Sequence, residues 1–233
     1  MQQRIDQSDW QDIAGRMNDT GYAFLENLLK HAECDALKAQ YDNPALYRKT
    51  IVMERYRFGL GEYKYFSYPL PQIIAQLRQA VYPHLAPIAN KWMAVLNIEK
   101  SFPLAHAELI ELCRAHKQTR PTPLILRYGQ GGYNTLHQDL YGEVFFPMQM
   151  VIFLDEPGED YEGGEFVLIE QRPRAQSKAI VLKPKKGDIL VFTTNFRPVK
   201  GSRGYYRVNM KHGVSEVTAG RRHTLGIIFH DAS

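Results

Sequence analysis

Tyr128-Gly129-Gln130-Gly131-Gly132-Tyr133-Asn134-Thr135-Leu136-His137-Gln138-Asp139 is a glycine-rich turn running into a His-x-Asp pair. On a strand, residues i and i+2 face the same side, so His137 and Asp139 can reach one metal ion together with Gln138 turned away. A lone His-x-Asp arises often by chance, and a hydrogen-bonded histidine at a strand end is the ordinary role of such a residue. The pair gains weight from what lies far downstream. His212 follows Arg207-Val208-Asn209-Met210-Lys211, and Arg222 comes ten residues after it.

The sequence around the pair reads as many short strands. From Pro123 onward, apolar or alternating runs are separated by glycine, proline or acidic turns. The runs are Leu124–Tyr128, Met148–Leu154, Glu165–Glu170, Ala179–Lys183, Asp188–Thr193, Arg207–Val217 and Thr224–His230. Pro157-Gly158, Gly163-Gly164, Lys186-Gly187-Asp188 and Ala219-Gly220 supply the turns. Strands this short and this frequent predict a sandwich or jelly roll. The first 120 residues read mostly as helix. Ser8-Asp9 is a helix N-cap before Trp10, Ile13 and Met17, and Asn18-Asp19-Thr20-Gly21 is the stop. Tyr22–Leu29 reads as a strand, His31–Tyr41 as a helix, and Ile51–Tyr68 as strand hairpins. Pro71 suits a helix start before Ile73, Ile74, Leu77, Val81 and Leu85, and Ala105–His116 reads as one more helix. The expected fold is α+β, a cupin-like double-stranded β-helix (jelly roll) with an N-terminal helical layer. It forms one domain over 1–233, with 1–120 mainly helical support and 121–233 the catalytic core.

A chain of 233 residues, 44% hydrophobic and 23% charged, is ample for a real interior. Net charge is +4, and the excess is uneven. Thirteen basic residues lie from Arg172 to Arg222, against Asp188 and Glu216 as the acids. Such a face can attract nucleic acid or an anionic metabolite, and it can equally be a solvated surface. Cys34 and Cys113 make no C-x-x-C pair, which points to a reducing cytoplasm rather than a disulfide scaffold. No apolar leader and no 18-residue apolar run is found, so no membrane partner is expected.

Two imidazoles and one carboxylate on one face of a metal leave three positions open. His137, Asp139 and His212 therefore form the 2-His-1-carboxylate set that suits Fe(II), O2 and a bidentate co-ligand. Arg222 and Thr224 fall on one face of the last run, with Arg221 and His223 on the other. A guanidinium binds a carboxylate through two parallel hydrogen bonds and the hydroxyl adds a third, which suits the distal carboxylate of 2-oxoglutarate.

These residues give the chain its resemblance to the Fe(II)/2-oxoglutarate-dependent dioxygenases, in the prolyl 4-hydroxylase-like branch. The matching stretches are His137-Gln138-Asp139, Gly163-Gly164-Glu165-Phe166, Lys186–Phe192, His212-Gly213-Val214 and Gly220–Thr224. Leu136–Glu143, Gly164–Arg174 and Gly220–Asp231 further resemble a bacterial subfamily labelled for oxidative demethylation of damaged DNA. The resemblance implies Fe(II) on His137, Asp139 and His212, with 2-oxoglutarate and O2 as cosubstrates and Arg222 on the distal carboxylate. It also implies contact between Tyr128 and the cosubstrate, oxidative decarboxylation to succinate and CO2, and hydroxylation of a substrate C–H bond.

Candidates for the substrate side are Tyr133, Asn134, Gln138, Tyr141, Gln149, Arg172, Arg174, Arg197, Arg207 and Asn209. The substrate can be a small molecule, a peptidyl side chain or an alkylated nucleobase. Tyr133, Tyr141, Tyr205 and Tyr206, with the basic stretch, permit nucleobase work without requiring it. A cupin-like protein that holds metal without turnover is the alternative, and Arg222-x-Thr224 argues against it. A zinc hydrolase is disfavoured because no nearby glutamate is placed as a base.

Overall fold

Local chemistry sets the helices of the N-terminal half, in a computed structural model that describes all of residues 1–233. A short helix α1 (Gln2–Asp6), unexpected from sequence, precedes α2 (Trp10–Thr20). Asp9 caps α2 by accepting the amides of Gln11 and Asp12, and Gly21 ends it in the left-handed conformation, φ 83°. Helix α3 (His31–Ala39) follows. The long α4 (Gln72–Val95) starts after Pro71 and buries Ile74, Leu77, Val81 and Leu85 on one stripe. Helix α5 is His106–Ala115. No helix is long and apolar enough to cross a membrane.

The strands form two antiparallel sheets. The larger runs β1 (Tyr22–Leu25), β11 (Ile189–Thr193), β7 (Met148–Phe153), β15 (Arg222–Ile228), β5 (Leu124–Tyr128), β4 (Glu62–Phe66), β2 (Tyr47–Val52). The second runs β10 (Lys178–Leu182), β9 (Phe166–Gln171), β13 (Gly204–Val214), β6 (Tyr133–His137), β3 (Gly59–Leu60), with β12 (Phe196–Gly201) paired to β13. A small third sheet pairs β8 (Tyr161–Gly163) with β14 (Val217–Gly220). This is the double-stranded β-helix expected from the strand spacing.

The N-terminal half does more than cover the sheets. It supplies β1, β2 and β4 to the larger sheet and β3 to the second. The strand expected over 22–29 stops at Leu25, because Asn27 turns to φ 51° and gives its amide to the Asp188 carboxylate. Within 51–68 the hairpin β2/β4 forms, but Met53–Tyr56 between them is a 3-10 turn.

Strands β7 and β11 are buried on both faces, which explains their unbroken apolar runs. Met150, Ile152, Ile189 and Val191 join Leu225 and Ile227 in a core shared with α2, α4 and α5. Val151, Phe153, Leu190 and Phe192 meet Phe166, Leu168, Val208 and Met210 between the two sheets. Gln149 and Arg222 share the inter-sheet side with Val151 and Thr224, by the two-residue period.

A buried ion pair ties α4 to the C-terminal segment. Arg78 (2% exposed) meets Asp231 (1%) at 2.7 Å and also donates to the Ile228 carbonyl and the Tyr68 hydroxyl. Truncating Arg78 leaves Asp231 buried without a counter-charge, held only by the Tyr68 hydroxyl. Arg78→Met is expected to cost about 3–5 kcal/mol in urea unfolding. A loss below about 1 kcal/mol, the range of an exposed pair, would count against this tie.

Candidate metal centre

Pairing between β6 and β13 brings two distant histidines together. His137 and His212 are directly opposed Cα partners, and their ring centroids lie 4.1 Å apart. Asp139 completes the group, although it does not come from the strand as expected. The ladder ends at His137, and Gln138 then makes the turn. Its amide donates to the Asn195 carbonyl (3.0 Å), the Asn195 side chain (3.0 Å) and the Met210 carbonyl (2.8 Å). Anchored this way, Gln138 sends Asp139 back toward the histidines. The three residues offer ligand atoms all within 4.8 Å of one another. Asp139 Oδ1 is 3.7 Å from His137 Nε2, and Oδ2 is 3.4 Å from His212 Nε2.

The ring orientations suit a metal on the Nε2 side. His137 Nδ1 bonds the Thr135 carbonyl at 2.7 Å, so its hydrogen belongs there and Nε2 is free to ligate. His212 packs against the rings of Phe166 and Phe192. Burial, and then the neighbouring charge of His137, hold its pKa down, which keeps it a neutral ligand. Burial pushes Asp139 up, but His212, His137 and the Gln149 amide outweigh it and hold the carboxyl well below its usual range. A neutral imidazole and an ionised carboxylate are the protonation states a divalent ion needs.

Two side chains clamp the carboxylate from either side. Tyr141 Oη donates to Asp139 Oδ1 at 2.9 Å and accepts from Tyr65 Oη at 3.2 Å. Gln149 Nε2 donates to Asp139 Oδ2 at 2.9 Å and lies 3.3 Å from His212 Nε2. Partners of this kind typically govern metal affinity by 10–100-fold. Tyr141→Phe and Gln149→Leu should each weaken Fe(II) binding by roughly that factor in an anaerobic titration. Unaltered affinity in both variants would refute the clamp.

Deeper in the same cavity lies Arg222, only 1% exposed. It faces Tyr128 directly across β15 and β5, and Thr224 is the next residue on that face. The rings of Tyr128, Phe153 and Tyr161 surround the guanidinium at 5.6–5.8 Å. Its stem passes Gly164, where φ is 61° and a Cβ would sit 2.9 Å from Arg222 Cδ. Arg222 Nε and Nη1 are buried with no hydrogen-bond partner. A buried cation with free donors is costly unless an anion joins it, so a carboxylate-bearing ligand fits here. Tyr128, whose hydroxyl accepts from Asn134 at 3.3 Å, and Thr224 line the same wall. Fe(II) fits the three converging ligand atoms and the far carboxylate of 2-oxoglutarate fits the arginine. The cavity measures ≈ 280 Å³, and Asp139 is its one carboxylate.

Among the substrate-side candidates, Asn134, Gln138, Tyr141 and Gln149 line the cavity. Gln149 is 5% exposed, so it is not the solvated glutamine that its strand position suggests. The others lie elsewhere. Tyr133 is 42% exposed outside the lining. Arg172 and Arg197 grip the buried Glu170 at 2.7 and 2.6 Å. Arg174 sits in an exposed turn at φ 61°, Arg207 covers the Phe196 ring, and Asn209 takes the outward face of β13. Much of the basic stretch is thus occupied within the protein, with Lys183 on Glu165 and Lys186 on Asp35. Sequence reasoning passed over Phe58, Tyr63, Tyr65 and Thr135, which reach the site only through strand register.

A double-stranded β-helix holding this cluster and a buried arginine in one cavity defines an Fe(II)- and 2-oxoglutarate-dependent oxygenase. Residues 61–232 match the family described as "Oxygenase, catalysing oxidative methylation of damaged DNA", and the chain belongs to that family. A relative in Mycobacterium tuberculosis (strain ATCC 25618 / H37Rv), an uncharacterized protein, is 48% identical over 168 residues, 72% of each chain. Among solved structures, a 2-oxoglutarate–Fe(II) oxygenase-family oxidoreductase from Burkholderia pseudomallei superposes with a TM-score of 0.57 at 16% identity, covering 97% of this chain and 94% of that one. A Pseudomonas putida prolyl-4-hydroxylase superposes with 0.56 at 14% identity, covering 93% and 96%. These two likenesses speak for the fold.

Proposed function

We propose that the protein hydroxylates an alkyl C–H bond on a damaged nucleobase, with His137, Asp139 and His212 holding Fe(II) and Arg222, Thr224 and Tyr128 holding 2-oxoglutarate. The observation that carries this reading is the buried Arg222 guanidinium, with Nε and Nη1 unbonded, in the same cavity as three converging ligand atoms. The family's description supplies the substrate class.

Bound Fe(II) with O2 and 2-oxoglutarate supplies the oxidant, giving succinate and CO2. The chain's own residues hold and shield. Arg222 and Thr224 fix one carboxylate of the cosubstrate, and its opposite end is thereby aimed at the ligand cluster. Burial pushes the Tyr128 hydroxyl up to about 12, so it stays a phenol able to donate a hydrogen bond. Phe166, Phe192, Val151 and Val214 make an apolar wall that excludes water. A methyl group on ring nitrogen, once hydroxylated, breaks down to formaldehyde and the free N–H. The expected result is stoichiometric succinate and formaldehyde from an N-methylated single-stranded oligonucleotide. An unmethylated strand and a proline-rich peptide should give neither. Hydroxylation of the peptide, with no formaldehyde from the oligonucleotide, would overturn the substrate assignment.

A further inference from the structure

Two aromatic rings at the rim of the cavity expose large faces to solvent. Tyr56 is 52% exposed and Phe58 44%, yet they stack on each other with centroids 5.5 Å apart and planes 19° apart. Exposed rings gain little from water, and a near-parallel stacked pair presents a flat outer face to a third planar ring.

The pair is rigidly mounted. Tyr56 ends the 3-10 turn Met53–Tyr56, whose Met53 is fully buried, and Phe58 follows two residues on. Arg57 closes the turn at φ 60°, and the Phe58 amide returns to the Met53 carbonyl at 3.1 Å. The Phe58 carbonyl then accepts both the amide and the hydroxyl of Thr135, each at 2.9 Å. Thr135 stands two residues before His137, roughly 6.6 Å along the strand and on the same face. Phe58 itself lines the cavity. A chain of bases passing the opening would set one base at the iron and its neighbour over these rings. Arg55 and Arg57, both exposed on the same turn, add positive charge where adjoining phosphates would run. Glu54 is the turn's one acid.

We infer that Tyr56 and Phe58 form a stacking platform for the nucleobase next to the one that enters the cavity, in a single-stranded nucleic acid. The inference rests on the nucleic-acid reading above but can fail separately from it. The test uses the full chain loaded with Mn(II) and 2-oxoglutarate, which does not turn over. The probe is a fluorescein-labelled oligothymidylate of roughly 12 nucleotides, read by anisotropy. Phe58→Ala and Tyr56→Ala should each weaken binding about tenfold, and Phe58→Trp should retain it. An abasic strand of equal length should bind weakly, and alike in all variants. Matching unfolding temperatures, above all for the surface variant Tyr56→Ala, exclude misfolding as the cause. If the alanine variants bind like wild type, or the abasic strand binds like oligothymidylate, the platform is wrong while the nucleic-acid reading stands. If wild-type protein binds no strand at all, the substrate reading falls and takes the platform with it.

Discussion

Asp139→Ala abolishes succinate release and lowers Fe(II) affinity by more than about 100-fold, the upper range for mere supporting residues. His212→Ala does the same. The expectation follows from convergence. Asp139 is the only carboxylate in the cavity, and both of its oxygens face a histidine nitrogen. Without it, two imidazoles remain, and nothing in the wall can replace the anionic ligand. The substitution also strands the Tyr141 hydroxyl and the Gln149 amide, which lose their acceptor. Each buried unsatisfied group costs about 1–3 kcal/mol, so Asp139→Asn is the informative companion. Asparagine keeps the shape and one of the two acceptor oxygens but removes the charge. Metal titration and single-turnover succinate assays read both variants. Wild-type turnover in Asp139→Ala would remove the metal from this site.

Arg222→Met should raise the 2-oxoglutarate KM at least about 30-fold, as truncating one side of a buried charge contact costs roughly 2–5 kcal/mol. At saturating cosubstrate, kcat should fall far less, because the substitution removes binding rather than the ligand cluster. Arg222→Lys should recover only part of the affinity, since an ammonium cannot make the paired guanidinium contact. The variant also separates a ligand-binding role from a structural one by sign. An arginine in an internal ion pair destabilises the fold when removed. Arg222 has no acidic partner and leaves Nε and Nη1 unbonded, so methionine should leave the ligand-free protein as stable or more so. Urea unfolding without cosubstrate measures this directly. A loss of several kcal/mol would show that the guanidinium serves packing.

The β-helix core was largely legible because its strands carry strong local signals. Leu124–Tyr128 matched to the residue, and Met148–Leu154 ran one residue long. Alternation along the last strand correctly set Arg222 and Thr224 apart from His223, which bonds Asp155 on the far side. Strand β6, which presents His137, was not among the predicted runs. Its Tyr-Asn-Thr-Leu-His sequence has no apolar alternation, and it stays exposed or half-buried throughout. Asp139 lies beyond the strand, where the two-residue rule has no force; the anchored Gln138 replaces it. Gln149 could not be assigned from its neighbours, since only the β7, β11 and β15 register puts it against Asp139. The arginines at 172 and 197 misled for different reasons. Arg172 pairs with Glu170, only two residues before it at the end of β9, a local signal the reading passed over, whereas Arg197 reaches the same carboxylate from β12, 27 residues away.

The aromatic cage around Arg222 bears on the lifetime of the protein as well as on its chemistry. Three ring faces offset part of the cost of a solitary interior cation, enough for the fold to persist before any dicarboxylate arrives. On the proposed assignment, its arrival supplies the missing counter-ion, and mass action adds about 2.7 kcal/mol at a hundred times the dissociation constant. A cosubstrate held there would stabilise its own enzyme. Cells rich in 2-oxoglutarate would keep more of it folded and out of reach of proteases than starved ones.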